Sequence, residues 1–166
     1  MRFVPLPKTI LDLGAYNGVA STDLVGEKDR WILVDNRQYE QYDGWRTPGL
    51  PPKAEYYEMD LMDWKEPAEI VVCSNVLYHV PDPHAMLKHL RELTLERLYL
   101  TTYVADLPSG WVDHTGGKHP HLHRPTAFTL FMFPSTNALV DELKELGFNI
   151  LKVEPIWDMV KVICAV

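Results

Sequence analysis

Short apolar runs alternate with helical patterns along most of the chain. Five of these runs, rich in β-branched and large apolar residues, predict strands that alternate with crossover connections. They are Thr9–Leu13, Trp31–Val34, Glu55–Met59, Glu69–Cys73 and Arg97–Val104. The fourth is apolar almost throughout, as expected of a central strand buried on both faces. The pattern therefore predicts βαβ units around a parallel sheet.

Helices are predicted between the strands, and two of them have clear capping residues. One extends from about Asn17 to Val25, directly after the first strand. Asp82 can cap the next helix, and Pro83 suits its first position. Ser135 can cap the last helix, and Gly147 lies where a left-handed C-terminal cap is expected.

The end of the chain carries two strands joined by a very short connection. Phe148–Pro155 and Met159–Val166 are too close in sequence for a crossover, so they must form an antiparallel hairpin. Residues 41–53 and Ala105–Arg124 are rich in Gly, Pro or His and are predicted to be irregular. The predicted fold is α/β: one doubly wound, seven-stranded, mostly parallel sheet with a C-terminal antiparallel hairpin, formed by residues 1–166 as a single domain.

The composition is that of a soluble globular protein, with 46% hydrophobic and 23% charged residues. A net charge of −7 opposes a broad electrostatic contact with nucleic acid. Cys73 and Cys164 lie in apolar runs, which indicates buried thiols in a reducing compartment. The N-terminus has no signal-peptide pattern, and no apolar run approaches the ~20 residues of a membrane span. A cytoplasmic protein without a membrane partner is expected.

A candidate nucleotide site follows the first strand. Asp12, Gly14 and Gly18 form the pattern D-x-G-x-x-x-G at the turn where this strand ends. Gly14 permits a positive φ, and Gly18 allows a close approach of the backbone to a ligand. Such glycines also occur in ordinary tight turns. Asp35, 21 positions after Gly14, ends the next strand, where a carboxylate can accept hydrogen bonds from both ribose hydroxyls.

Four segments carry a resemblance to a known family. They are ILDLGAYNG (10–18), VDNR (34–37), MDL (59–61) and VVCSNVLYHVPDPHAMLKHL (71–90). With the terminal hairpin, they resemble class I S-adenosylmethionine-dependent methyltransferases, chiefly the small-molecule branch, over nearly the whole chain. VLYH (76–79) and FMFPSTNALVDELKELGF (131–148) are also similar to the family that modifies the wobble uridine of tRNA. The resemblance implies a Rossmann-like enzyme that methylates a small or medium-sized acceptor.

The same resemblance implies a set of residues that hold S-adenosylmethionine. They are Asp12, Gly14, Tyr16, Gly18, Asp35, Asn36, Asp60, Leu61, Ser74 and Asn75. In the family, a carboxylate such as Asp60 accepts a hydrogen bond from the adenine amino group, and the next N–H, here of Leu61, meets the ring. Tyr16 replaces a glycine found in many relatives. Its ring either favours the sulfonium cation or merely covers the turn.

Two residues after the fourth strand are candidates for the reaction itself. Tyr78 is expected to border the acceptor, and His79 is the candidate base. Methyl transfer mainly requires alignment of donor and acceptor at ~3 Å, and a base is needed only if the acceptor must lose a proton. A structural histidine that bonds the backbone is the alternative interpretation of His79.

The segment after the fifth strand carries histidines at alternate positions. His119, His121 and His123 would share one face of an extended segment, with Arg124 beside them. Imidazoles in this arrangement suit a transition metal, or a polar or anionic acceptor. A plain solvated loop is the remaining alternative. Loops at the carboxyl edge form the site in this architecture, which favours substrate binding. No metal is expected.

About eight residues precede the first strand, where many relatives carry a helix that helps cover the acceptor. The acceptor pocket is therefore expected to be open, or closed by residues 41–53, by residues 105–127 or by a second subunit of a homo-oligomer. Two alternatives stay open: a methyltransferase that modifies a tRNA nucleotide, and a catalytically silent partner subunit that only binds the cofactor. A nicotinamide-dependent reductase is disfavoured by the closing hairpin.

Overall fold

The computed structural model describes residues 6–36, 51–113 and 132–166. The strands of the main sheet are β1 (Thr9–Leu13), β2 (Arg30–Asp35), β3 (Ala54–Glu58), β4 (Ala68–Ser74), β5 (Thr94–Tyr103), β8 (Asn149–Ile156) and β9 (Met159–Ala165). A separate antiparallel pair consists of β6 (Trp111–Asp113) and β7 (Met132–Pro134). The α-helices of these residues are α1 (Pro83–Leu93) and α2 (Thr136–Glu145).

The strand order of the main sheet is β3-β2-β1-β4-β5-β9-β8. Strands β1 to β5 are parallel, and β9 runs antiparallel between β5 and β8. The predicted mostly parallel sheet with a C-terminal hairpin is confirmed. The order reverses between β1 and β4, and in open α/β sheets the crevice at this reversal, beyond the carboxyl ends of the strands, is the usual ligand site.

Two apolar clusters cover the two faces of the sheet. The larger contains Leu11 and Leu13 of β1 together with buried residues of both helices, such as Leu87 and Leu139. The smaller contains Ile10, on the opposite face, with residues of β2 and β4. Side chains alternate along a strand, so Asp12 shares its face with Ile10 and the smaller cluster.

The predicted helix caps are confirmed. Asp82 accepts a hydrogen bond from the N–H of Ala85 through Oδ1, at 2.9 Å, and Ser135 accepts one from the N–H of Ala138 through Oγ, at 3.1 Å. Gly147 follows α2 with φ +87°, the expected left-handed conformation. Capping therefore determines where both helices begin.

Replacing Ser135 by alanine should lower the free energy of unfolding by about 1 kcal/mol, because the Ala138 N–H loses its acceptor. Urea unfolding followed by circular dichroism measures this loss. Thr136→Ala, one position into the helix, is the control and is expected to change stability by less than about 0.5 kcal/mol. Equal losses in the two variants would contradict the capping role.

The predicted helix from Asn17 to Val25 is wrong. The segment forms consecutive turns that end in a 3₁₀ helix at Thr22–Leu24. Tyr16 and Gly18 have φ of +50° and +76°, a left-handed conformation that a right-handed helix cannot include at its start. Each turn is closed by an N–H that donates to the carbonyl three residues earlier, such as Gly18 to Ala15 at 2.7 Å.

The prediction of an irregular segment over 105–124 is wrong where β6 lies. Residues 111–113 pair with residues 132–134, and segments of this length are too short to show the alternation that identifies a strand. Cys73 and Cys164 are buried free thiols, as predicted. None of the described helices is long and apolar enough to cross a membrane.

Candidate functional site

Gly14 forms the turn at the carboxyl end of β1 and packs against the turn that follows β4. Its φ is +75°, which confirms the predicted positive φ, and its N–H donates to the carbonyl of Val34 at 2.8 Å. A Cβ at this position would lie 2.2 Å from Cγ2 of Val76. Glycine is thus required both by the backbone and by the contact between the two strands that flank the reversal of strand order.

Gly18 also has a positive φ, but its neighbours are side chains of β2. A Cβ there would lie 2.8 Å from Cζ2 of Trp31 and 3.1 Å from Cδ1 of Leu33. Close packing against Trp31 and Leu33 thus explains why this position requires glycine. The approach of a ligand to Gly18 stays a prediction.

Asp35 ends β2 and is only 2% exposed. Its Oδ2 accepts a hydrogen bond from the backbone N–H of Tyr16 at 2.8 Å, and Tyr16 itself has the left-handed φ of +50°. The carboxylate therefore fixes the turn after β1, the turn that carries the predicted cofactor residues. Asn36 follows Asp35 and is exposed. Contacts of Asp35, Asn36 and Tyr16 with a cofactor stay predictions.

Asp12 lies beneath this turn and is completely buried. Its Oδ2 accepts a hydrogen bond from the Ser21 hydroxyl at 2.6 Å, whereas its Oδ1 has no hydrogen-bond partner among the described residues. Burial raises the pKa of Asp12 to about 7; the Ser21 hydrogen bond opposes this rise, and the charge of Asp35 adds to it. A buried acceptor beside a second carboxylate favours a ligand that brings hydrogen-bond donors or positive charge.

Asp60 and Leu61 follow β3. Asp60 is exposed, and its Oδ1 accepts from the N–H of Met62 at 2.9 Å, capping a short 3₁₀ helix. Leu61 is buried, and its carbonyl accepts a hydrogen bond from Nε2 of His89 at 3.1 Å. The structure thus gives both residues a local role at the expected edge of the sheet, and the adenine contact stays a prediction.

The turn after β4 places Ser74, Asn75 and His79 at the same edge. Ser74 ends the strand, and the N–H of Asn75, whose φ is +61°, donates to the carbonyl of Thr101 at 2.8 Å. The N–H of His79 donates to the carbonyl of Val76 at 2.7 Å, closing a 3₁₀ turn. This bond involves the main chain of His79, and the function of its half-buried imidazole as a base stays a prediction.

Tyr78 belongs to an aromatic cluster that joins three elements. Tyr78 is only 6% exposed. The centre of its ring lies 4.9 Å from the centre of the Tyr103 ring at the end of β5 and 6.1 Å from that of Phe133 in β7. Burial raises the pKa of the Tyr103 hydroxyl, and the negative charge of Asp158 adds to the effect. The cluster lies at the carboxyl ends of β4 and β5, the edge where the acceptor was expected.

Several residues of this edge were missed from the sequence. Ser21 lies in the segment that was predicted to be a helix, and nothing in the sequence pattern indicates its contact with Asp12. Tyr103 and Phe133 approach Tyr78 through tertiary packing alone. The predicted substrate residues His119, His121, His123 and Arg124 lie outside the described residues. Within the described ranges, no group of three or more His, Cys, Asp or Glu side chains could hold a metal ion.

Comparison with known proteins gives one family match. The sequence matches the model of a family described as "Methyltransferase domain" over residues 2–153. No curated protein matches the sequence.

Solved structures share the fold at low sequence identity. A 1,6-didemethyltoxoflavin N1-methyltransferase from Burkholderia thailandensis, with bound 1,6-didemethyltoxoflavin and S-adenosylhomocysteine, has a TM-score of 0.68 at 14% identity. The match covers 96% of this chain and 71% of that one. Magnesium protoporphyrin IX methyltransferase from Synechocystis, with bound S-adenosylhomocysteine, has a TM-score of 0.64 at 16% identity. The match covers 96% of this chain and 74% of that one. An S-adenosylmethionine-dependent methyltransferase from Mesorhizobium loti has a TM-score of 0.65 at 14% identity. The match covers 96% of this chain and 91% of that one. At these identities the likeness shows a shared fold.

Proposed function

The chain belongs to the methyltransferase-domain family, and on that premise we propose that it is an enzyme that transfers a methyl group from S-adenosylmethionine to a small acceptor molecule. The observation that carries the proposal is the arrangement of Asp12 and Asp35 beside the Gly14 turn, where the strand order reverses. In folds of this kind, ligands bind in the crevice outside the carboxyl ends of the strands.

The described residues fit the chemistry of this cofactor. S-adenosylmethionine carries a ribose diol, an ammonium group and a sulfonium group, all of which suit a site with carboxylates. Asp35 can accept from the ribose hydroxyls, and Asp12 has a buried oxygen with no partner among the described residues. Asp60 and Leu61 are proposed to meet the adenine, and Ser74 and Asn75 the methionine end. When bound, the cofactor supplies an electrophilic methyl group on a positively charged sulfur.

The other proposed roles belong to the turn after β4. The protein contributes mainly alignment, because displacement at carbon requires donor and acceptor in line at about 3 Å. Tyr78, fixed by the aromatic cluster, is proposed to border the acceptor. His79 is proposed to accept a proton from acceptors that are protonated at neutral pH. Two of the similar solved structures are methyltransferases named for 1,6-didemethyltoxoflavin and for magnesium protoporphyrin IX, which supports a small-molecule acceptor.

Two further features belong to the proposal. We place the enzyme in the cytoplasm because Cys73 and Cys164 are buried free thiols. Residues 1–166 are proposed to act as one catalytic domain, and a second subunit is one means of closing the acceptor pocket.

Incubation of the protein with methyl-labelled S-adenosylmethionine tests the reaction. We expect label to enter components of a small-metabolite extract and none to enter bulk tRNA. Label in tRNA would favour modification of a nucleotide instead. Titration of S-adenosylhomocysteine by calorimetry is the companion measurement, and saturable micromolar binding is expected. Binding without transfer to either fraction would point to a silent partner subunit, and absence of binding would overturn the proposal.

A further inference from the structure

A directional hydrogen-bond chain ends on Asp12. The indole Nε1–H of Trp31 donates to the Ser21 hydroxyl at 2.9 Å, and that hydroxyl donates to Oδ2 of Asp12 at 2.6 Å. All three residues are buried. A serine hydroxyl has a single hydrogen, and accepting from the indole leaves that hydrogen to be donated. Oδ2 of Asp12, at 2.6 Å, is a closer acceptor for it than the carbonyl of Gly18, at 3.3 Å. These two hydrogen bonds therefore fix Oδ2 of the carboxylate and leave Oδ1 as the oxygen for a further contact.

No positive charge balances Asp12 within the part of the chain that the structure describes. Of the ionisable groups on neighbouring strands, Asp35 at the end of β2 acts on Asp12, and Asp12 in turn acts on the thiol of Cys73 in β4. Burial raises the pKa of the Cys73 thiol, and the charge of Asp12 adds to this effect, so the thiol is neutral. A carboxylate charge in this position is thus costly, and a bound proton removes that cost.

We propose that Ser21, oriented by Trp31, positions Asp12 for the cationic methionine end of the cofactor, and that cofactor binding expels a proton from Asp12 to solvent. This role rests on the proposed function. The ammonium group of the cofactor supplies the positive charge that Asp12 lacks, so the carboxylate becomes the stable form and its proton leaves. Ser21 and Trp31 are positioning residues, because they act through Asp12.

The direction of the pH dependence follows from the free protein. The pKa of Asp12 is about 7 before binding, and the incoming positive charge lowers it. Proton release is therefore nearly complete at pH 6, about half at pH 7 and small at pH 8. Because protons compete with the cofactor, affinity is expected to be about tenfold weaker at pH 6 than at pH 8.

Calorimetric titration with S-adenosylhomocysteine, which retains the ammonium group, counts the protons. At each pH, binding enthalpies measured in two buffers that both titrate at that pH differ by the number of protons released multiplied by the difference in buffer ionisation enthalpy. Subtracting the number of protons released by Asp12→Asn from the number released by the wild type cancels the protons that the ligand itself exchanges. We expect this difference to be about 0.9 proton at pH 6 and about 0.1 at pH 8.

Ser21→Ala tests the positioning role separately. The Ser21 hydrogen bond lowers the pKa of Asp12, so its loss should move the midpoint of proton release to higher pH and increase the release at pH 8. Trp31→Phe, which removes the indole N–H, should also move the midpoint of proton release to higher pH. Ser21→Thr, which keeps a hydroxyl, should have the midpoint of the wild type. A purely structural role would weaken binding without moving the midpoint, and that result would overturn the positioning role.

The outcomes separate this inference from the proposed function. Wild-type binding with the same proton count as Asp12→Asn would overturn the inference and leave the cofactor assignment standing. Failure of the wild type to bind S-adenosylhomocysteine would overturn both. If Asp12→Asn does not fold, the shift between wild type and Ser21→Ala still decides the question.

Discussion

Gly14→Ala is expected to lower the free energy of unfolding by about 2–5 kcal/mol. The new Cβ would lie 2.2 Å from Cγ2 of Val76, and overpacking of this kind costs about 1–3 kcal/mol. The φ of +75° adds a further penalty of roughly 1–2 kcal/mol, because an L side chain in this conformation approaches the following carbonyl oxygen. Chemical denaturation followed by tryptophan fluorescence measures the total.

Two companion variants separate these contributions. Gly147→Ala introduces a methyl group at a similar positive φ, +87°, where the nearest neighbour among the described residues, Nε of Arg91, is at an ordinary contact distance of 3.8 Å, so it reports the backbone penalty without overpacking. Val76→Ala removes the methyl group that Gly14→Ala would strike. The double variant should therefore be less stable than Val76→Ala mainly by the backbone penalty, because only the tight contact with Cβ of residue 76, at 3.3 Å, remains. Equal losses for Gly14→Ala in both backgrounds would show that contact with Val76 does not matter.

The sheet could be predicted from the sequence because its signals are local. Each buried strand is a short apolar run, and the brief connection between the last two strands allows only a hairpin. The caps at Asp82 and Ser135 were also predictable, since a capping side chain bonds an N–H three residues later. The bounds differ only slightly: β5 begins at Thr94 and not at Arg97.

The segment after β1 could not be predicted in the same way. Its apolar positions suit a helix, but the chain turns left-handed at Tyr16, a conformation stabilised by Asp35, which lies 19 residues away. Ser21 then bonds Asp12 and not a helix terminus. Contacts between residues distant in sequence thus override local propensity here, at the edge that carries the candidate site.

Asp35 and Asp60 were both predicted to contact the cofactor, Asp35 from its position at the end of a strand and Asp60 from the family resemblance, and their surroundings in the structure differ. Asp35 is buried at the carboxyl end of β2, whereas Asp60 is exposed and caps a short helix. A hydrogen bond to a charged group is worth more when water does not compete for it. Substitution of Asp35 should therefore affect cofactor binding more strongly.

Asp35→Asn is expected to weaken binding of S-adenosylhomocysteine at least about 100-fold. The amide retains an oxygen that can accept from the Tyr16 N–H, so the turn after β1 is preserved, but it cannot accept from two ribose hydroxyls as a carboxylate does. Hydrogen bonds to charged groups contribute about 1.5–3 kcal/mol each, and the loss of two corresponds to roughly 100-fold or more in affinity. Calorimetry at pH 8 measures the change where Asp12 is mostly ionised.

Asp60→Asn is the matched control, and a loss of about tenfold or less is expected because its carboxylate is exposed. The unfolding free energy of Asp35→Asn distinguishes lost contacts from lost structure. Removing one of two neighbouring buried carboxylates relieves repulsion with Asp12, so stability should not fall. Similar affinity losses in Asp35→Asn and Asp60→Asn would argue against a ribose contact at Asp35. A large loss confined to Asp35→Asn, in a protein as stable as the wild type, would identify the carboxyl end of β2 as the centre of cofactor recognition.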